Sequence, residues 1–211
     1  MNLLTQNKKI KQSSTNGLRI FNFGIPAYKS LSGKLTCPNA LHCIKGCYAR
    51  QGAYIWSNVA KVFESRYELT KSDLFIDAMT NEINKKRPNI IRIHDSGDFY
   101  SPQYLHKWII IINKHPNIIF YAYTKMVGLF KKLGDLKPIN FIVIYSLGGK
   151  EDHLIDLNKD RHSKVFNNEY DLISQGYIDS SKDDKHAFQS INNKIGLVYH
   201  GAKSKDWSDN I

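Results

Sequence analysis

The residues best suited to chemistry are three cysteines, Cys37, Cys43 and Cys47. They are the whole cysteine complement of the 211-residue chain and fall within eleven consecutive positions. Thiolates are soft ligands for zinc and iron, and three on one short loop meet with little closure entropy. Disulfide pairing fits poorly, because the count is odd, no partner follows Cys47 and no secretory signal is read ahead of the loop. Pro38, Asn39, Lys45 and Gly46 are loop formers, which argues against three buried thiols serving only as small hydrophobes.

Zinc and iron–sulfur place different demands on such a loop. A structural zinc site closes with four protein ligands, so the thiols would need His42, His94 or His200 as a fourth. The Cys-x5-Cys-x3-Cys spacing also lacks the two-residue separation common in zinc loops. A four-iron four-sulfur cluster held by only three thiolates leaves one iron open to a substrate or cofactor.

A second concentration of polar residues is His94-Asp95-Ser96-Gly97-Asp98-Phe99-Tyr100-Ser101, directly after the apolar run Ile90-Ile91-Arg92-Ile93. At the end of a strand, Asp95, Ser96, Gly97 and Asp98 could hold a cofactor amine, a ribose hydroxyl or a metal. Ser101 before Pro102 reads instead as a helix cap. Lys125 follows the aromatic run Phe120-Tyr121-Ala122-Tyr123 and could meet a phosphate or carboxylate. His200 ends the last apolar run and could serve as acid, base or ligand, whereas His106 and His115 belong with a helix and its end. No serine-nucleophile elbow, phosphate-binding Walker loop or dinucleotide glycine fingerprint is present, which sets hydrolase and nucleotide-kinase readings back.

The elements that must position these residues alternate in type. After a polar segment through residue 17, Leu18 to Phe23 reads as a strand ended by Gly24 and Pro26. Helical periodicity from Tyr54 to Lys86 breaks at Ser72-Asp73, giving two helices. Asn89–His94, Asn117–Tyr123 and Asn140–Tyr145 read as strands, with helices over Pro102–Lys114 and Met126–Leu133 between them. Lys150 to Asn193 is polar and poorly periodic, with Ser180–Lys185 the expected exposed segment, and Ile195–His200 reads as a last strand. Repeated strand, loop and helix predict an α/β fold, a partial or distorted parallel β/α barrel in one domain over 18–211, with the cysteine loop at 36–50. In such a sheet the cysteine loop, the Asp95 loop, the Lys125 turn and the Ser146–Gly149 turn all follow carboxyl ends of strands, where chemistry gathers.

Composition allows one core and a polyanionic partner. No apolar run approaches a membrane span, and a cytoplasmic location is expected. Thirty Lys and Arg against nineteen Asp and Glu give +11, spread over pairs such as Lys8-Lys9, Lys85-Lys86 and Lys131-Lys132, a balance that admits a nucleic acid or nucleotide partner.

Three blocks together carry a resemblance. Cys37-Pro38-x-Ala40-x-x-Cys43-x-x-x-Cys47-Tyr48-Ala49, Arg92 to Ser101 and Phe120 to Lys125 resemble the phage gene 88 protein family over residues 18 to 149, with a weaker echo at Val198-Tyr199-His200. The cysteine loop and the β/α order resemble, more distantly, radical S-adenosylmethionine proteins. That second resemblance implies a four-iron four-sulfur cluster on Cys37, Cys43 and Cys47 and S-adenosylmethionine on the open iron. It further implies cofactor contacts from Asp95 and Asp98, substrate contacts from Lys125 and His200, and a separate electron donor. The alternative is a zinc-stabilised, non-catalytic nucleic-acid-binding protein in which Tyr48, Tyr54, Tyr121 and Tyr123 stack on bases.

Overall fold

The structure, a computed structural model, describes residues 1–15 and 17–199. Seven parallel strands form one sheet: β1 (Ile20–Phe23), β2 (Ile90–Ile93), β3 (Ile119–Thr124), β4 (Phe141–Ser146), β5 (His162–Phe166), β6 (Ile178–Asp179) and β7 (Lys194–Val198). Their order is β1-β2-β3-β4-β5-β7-β6, and the sheet curls into a half-barrel, the partial parallel barrel that the alternation of elements predicts. Phe23 pairs with Ile93 and Ile93 with Ala122, so the carboxyl ends of β1 to β3 lie nearly level.

Alternation along each strand sorts the two faces. Phe23, Ile91, Ile93, Phe120, Ala122 and Phe141 point to the crossover helices, where they pack with Phe75, Met79, Trp108 and Ile112. Those helices are α3 (Ser57–Lys71), α4 (Leu74–Lys86), α5 (Pro102–Lys114) and α6 (Val127–Leu133). The periodicity break at Ser72-Asp73 is real, and the Ser101 side chain caps α5 by accepting from the Tyr104 N–H at 3.2 Å, with Pro102 at its first turn. Ile20, Ile90, Tyr121 and Ile144 point the other way, into the curl, where they meet Ile10 and Ala187.

Two regions differ from the sequence reading. The N-terminal segment is built into the fold: Leu3 and Leu4 are buried, Thr5 pairs with Asn22, and α1 (Lys8–Ser13) lays Ile10 on the inner face of β1. A few apolar side chains among polar ones are too sparse to show a period but enough to dock. Residues 150–193 hold β5, α7 (Glu169–Ser174), β6 and α8 (Lys185–Gln189), all shorter than a periodicity window. Within the segment expected to be exposed, Ser180 and Asp184 are buried, because each polar group has a partner: Ser180 Oγ donates to Asp183 O at 2.7 Å, and Asp184 meets two cations.

Candidate functional site

The cysteine loop lies across the strand ends and is bonded to each following loop in turn. Asp98 N–H donates to Thr36 O at 2.9 Å, the Asn39 amide donates to Lys125 O at 3.4 Å, and His42 N–H donates to Gly148 O at 3.1 Å. Lys150 N–H and Nζ return to Asn39 O and Pro38 O at 2.9 and 2.8 Å. The four loops predicted to share one end of the sheet therefore do so. Cys43 opens the short helix α2 (Cys43–Gly46), and a turn of 3-10 helix over Tyr48–Arg50 follows Cys47.

All three thiols are free. The Tyr28 backbone N–H donates to Cys37 Sγ at 3.3 Å. Burial, joined by the nearby Asp98 carboxylate, raises the Cys37 thiol far above its ordinary range, and the Tyr28 N–H opposes this. Cys47 is raised by burial too, opposed by the Ala49 N–H and by Arg50 and Lys125. Each of the three sulfurs lies within electrostatic reach of the other two. Among the described residues no group of three or more His, Cys, Asp or Glu side chains is set closely enough to hold a metal ion. What fits a soft metal is the donor set: three thiols on one loop, two of whose sulfurs receive backbone N–H groups, a setting that stabilises ligated thiolates.

Asp98 is the hub of the strand ends. Its carboxylate accepts from Thr124 Oγ1 at 2.6 Å, from the Lys125 N–H at 2.9 Å and from its neighbour's Phe99 N–H at 2.8 Å. Burial raises its pKa against these donors. Asp95 accepts from Tyr54 Oη at 3.1 Å and from the Asn7 amide at 3.4 Å, while its backbone oxygen accepts from Tyr48 Oη. Its Oδ1 is pressed against Gly24, where a Cβ would stand 2.1 Å away. Burial, opposed chiefly by Arg92, raises the Asp95 pKa as well. Ser96 Oγ is buried without a hydrogen-bond partner, and Gly97 makes the turn at φ +84. Lys125 is at the site, with its ammonium donating to Ser146 O, Ser146 Oγ and Leu147 O at 2.9, 3.0 and 2.7 Å. All three of its protons are thereby used to close the end of β4.

The histidines divide. His94 turns into the aromatic cluster of Phe23, Phe99 and Tyr104 and bonds Tyr104 Oη at 2.8 Å, so it faces the helix-side core. His42 is exposed on the cysteine loop. His200 lies outside the described residues.

Beneath the loops, the inner face of the sheet holds a buried charge network that the sequence reading missed. Arg92 Nη1 donates to Asp184 Oδ2 at 2.7 Å, Lys9 Nζ pairs with Asp184 Oδ1 at 2.7 Å, and Tyr121 Oη donates to Oδ2 at 2.9 Å. The Arg92 guanidinium also stacks on Tyr123 at 5.1 Å. The available signal was an arginine inside an isoleucine run. Asp184 gave none, since it follows Asp183 in a polar stretch.

A parallel half-barrel with a thiol-bearing loop laid over its strand ends is the class of protein that this fold and site define. A family model described as Gene product 88 matches residues 1–210, so the chain belongs to that phage protein family. Two relatives are each named Gene 88 protein: that of Mycobacterium phage L5 is 31% identical and that of Mycobacterium phage D29 30% identical, each over 117 residues. Both alignments cover 50% of this chain and 47% of the relative, so the chain spans about half the length of these relatives. No solved structure matches it. No helix among the described residues is long and apolar enough to cross a membrane. Neither the family description nor the relatives' names carry an activity.

Proposed function

We propose that the protein is an iron–sulfur protein of the radical S-adenosylmethionine type, with Cys37, Cys43 and Cys47 holding three irons of a four-iron four-sulfur cluster. The observation that supports this reading is the cysteine loop itself: three free thiols within one short loop over the strand ends, two of them receiving backbone N–H groups. When bound, such a cluster, held by Cys37, Cys43 and Cys47, would supply one-electron cleavage of the sulfonium bond of S-adenosylmethionine.

The chain's own residues have defined tasks in this reading. Burial keeps the Cys37 and Cys47 thiols protonated until a cation arrives, so the loop releases protons as it loads metal. Asp98 and Lys125 act as positioning residues: one locks the second loop to the third, the other locks the third to the fourth. Tyr48 and Tyr54, tied to Asp95, hold the far end of the cysteine loop against the sheet.

Anaerobic purification followed by iron, zinc and acid-labile sulfide analysis tests the proposal. The expected result is a brown protein with about four irons and four sulfides per chain, whose cluster spectrum shifts on adding S-adenosylmethionine. A colourless protein holding one zinc would overturn it.

A further inference from the structure

The net charge is concentrated in one part of the chain. Nine of the thirty Lys and Arg residues, and none of the nineteen Asp and Glu residues, fall in the first 63 positions, so this stretch carries +9 of the net +11. Lys9 is neutralised inside the half-barrel by Asp184. Lys29, Lys34, Lys45, Arg50 and Lys61, by contrast, stand exposed on the excursion from β1 into α3. None of these five joins an ion pair among the described residues.

Folding brings the segments that carry them together. Residues 28–37 double back as a small hairpin, closed by Thr36 N–H donating to Tyr28 O at 2.9 Å and by a bridge between Lys29 and Leu35. The Lys29 ammonium and the Arg50 guanidinium both sit over the Tyr28 ring, at 5.3 and 5.4 Å. The hairpin tip reaches α3, where Leu31 N–H donates to Glu64 at 2.8 Å, one turn beyond Lys61. Along the same stretch, between Lys45 and Lys61 in sequence, stand Trp56, 62% exposed at the start of α3, and Tyr48, half-exposed. An uncovered indole is costly in water, and beside unpaired cations it is the combination that binds unpaired strands, phosphates to the charges and bases to the rings. A duplex hides its base faces and could use only the charges.

We propose that the hairpin, the cysteine loop and the first turns of α3 form a docking face for single-stranded nucleic acid. Phosphates run along Lys29, Lys34, Lys45, Arg50 and Lys61, and a base stacks on Trp56. The face stands on surface charge and aromatic exposure and does not depend on which metal the cysteines bind.

The test uses the full chain, purified anaerobically, with short labelled single-stranded DNA and RNA of equal length. One variant combines Lys29→Gln, Lys34→Gln, Lys45→Gln and Lys61→Gln, and a charge-matched control combines Lys85→Gln, Lys114→Gln, Lys132→Gln and Lys182→Gln. The first variant is expected to bind at least about tenfold more weakly and to reduce the logarithmic salt slope by about 3, at roughly 0.7 for each phosphate no longer neutralised, while the control changes little. Trp56→Ala is expected to weaken binding by about tenfold with the salt slope unchanged. DNA and RNA arms that respond alike, or in which only one binds, both sustain the face and say which strand it takes. Equal losses in the two lysine sets overturn it. So does a duplex or an acidic polypeptide that competes as well as the single strand while Trp56→Ala has no effect. Metal content of each variant is read separately, so a failure of the cysteine site is distinguishable from a failure of this surface.

Discussion

Arg92 and Asp184 meet at 2.7 Å across 92 positions of sequence, and their ion pair fastens α8 and, through Lys9, α1 to the inner face of the sheet. Burial alone would push the Asp184 carboxyl up, but Arg92 and Lys9 pull it down to about 2. Removing the carboxylate strands the buried Arg92 and the half-buried Lys9. Asp184→Ala is therefore expected to cost about 3–5 kcal/mol, read by urea unfolding at neutral pH. Because the folded value lies below the ordinary 3.8, the pair's contribution is complete above pH 4 and is lost as the pH falls from about 4 to about 2. A loss below about 1 kcal/mol in the variant would mean that the network is not load-sharing.

His94 sets a second, higher acid limit. Burial, aided by Arg92, lowers its pKa from 6.5 to about 3, so the folded protein keeps it neutral while the unfolded chain takes up a proton. Stability should then fall as the pH drops below 6.5, by up to about 1.4 kcal/mol per unit. Asp95 and Asp98, both raised by burial, act with the opposite sign from about 3.8 upward. His94→Asn tolerates the left-handed backbone at φ 65 and isolates the histidine's share. Unfolding curves at pH 7 and 5 should differ clearly in the parent and much less in the variant; an equal difference in both would refute the assignment.

The two loop aspartates should separate on substitution. Asp98→Asn turns an amide donor toward the Thr124 hydroxyl or the Lys125 N–H and is expected to destabilise by about 2–3 kcal/mol. Asp95→Asn keeps an acceptor for Tyr54 and should cost less than about 1.5 kcal/mol. Thermal melts of the two variants in parallel decide this, and equal losses would count against Asp98 as the hub.

Gly97 and Gly33 share a positive φ but not their surroundings. A methyl group at Gly97 would stand 2.2 Å from Ile25 Cγ1, whereas nothing lies within 4 Å at Gly33. Gly33→Ala is expected to cost about 1 kcal/mol from backbone strain alone, and Gly97→Ala about 3 kcal/mol or more because Ile25 must move as well. Chemical denaturation of both variants gives the comparison, and similar costs would contradict the close approach of the two loops.

If the loop holds the proposed cluster, each of Cys37→Ser, Cys43→Ser and Cys47→Ser should bind much less iron than the parent, since a serine hydroxyl is a poor soft-metal ligand. The check is iron per chain after anaerobic reconstitution. Full occupancy in any one of the three would remove that residue from the site.

The order of the fold from β1 through β4 was written locally. Apolar runs of four to six residues separated by helix-period segments determine a parallel sheet with crossovers, and Ser101-Pro102 sets the start of α5 to the residue. Three cysteines within eleven positions are a local property too, and parallel strands oblige the loops after them to share one end of the sheet. What only tertiary structure decided is which polar side chains meet. Asp98 could have faced solvent or a ligand as far as its neighbours determine, and is instead the acceptor that joins β2's loop to β3's. Lys125 could have met a phosphate or carboxylate as far as the sequence determines, and its three donors instead close β4. Asp184, in a stretch with no periodicity, became the buried counter-charge to Arg92 and Lys9 because the curl of the sheet brings α1 and α8 over one inner face. Hydrogen bonds and ion pairs between residues far apart leave no period in the chain. Their partners are fixed only when burial removes the water that would otherwise satisfy them.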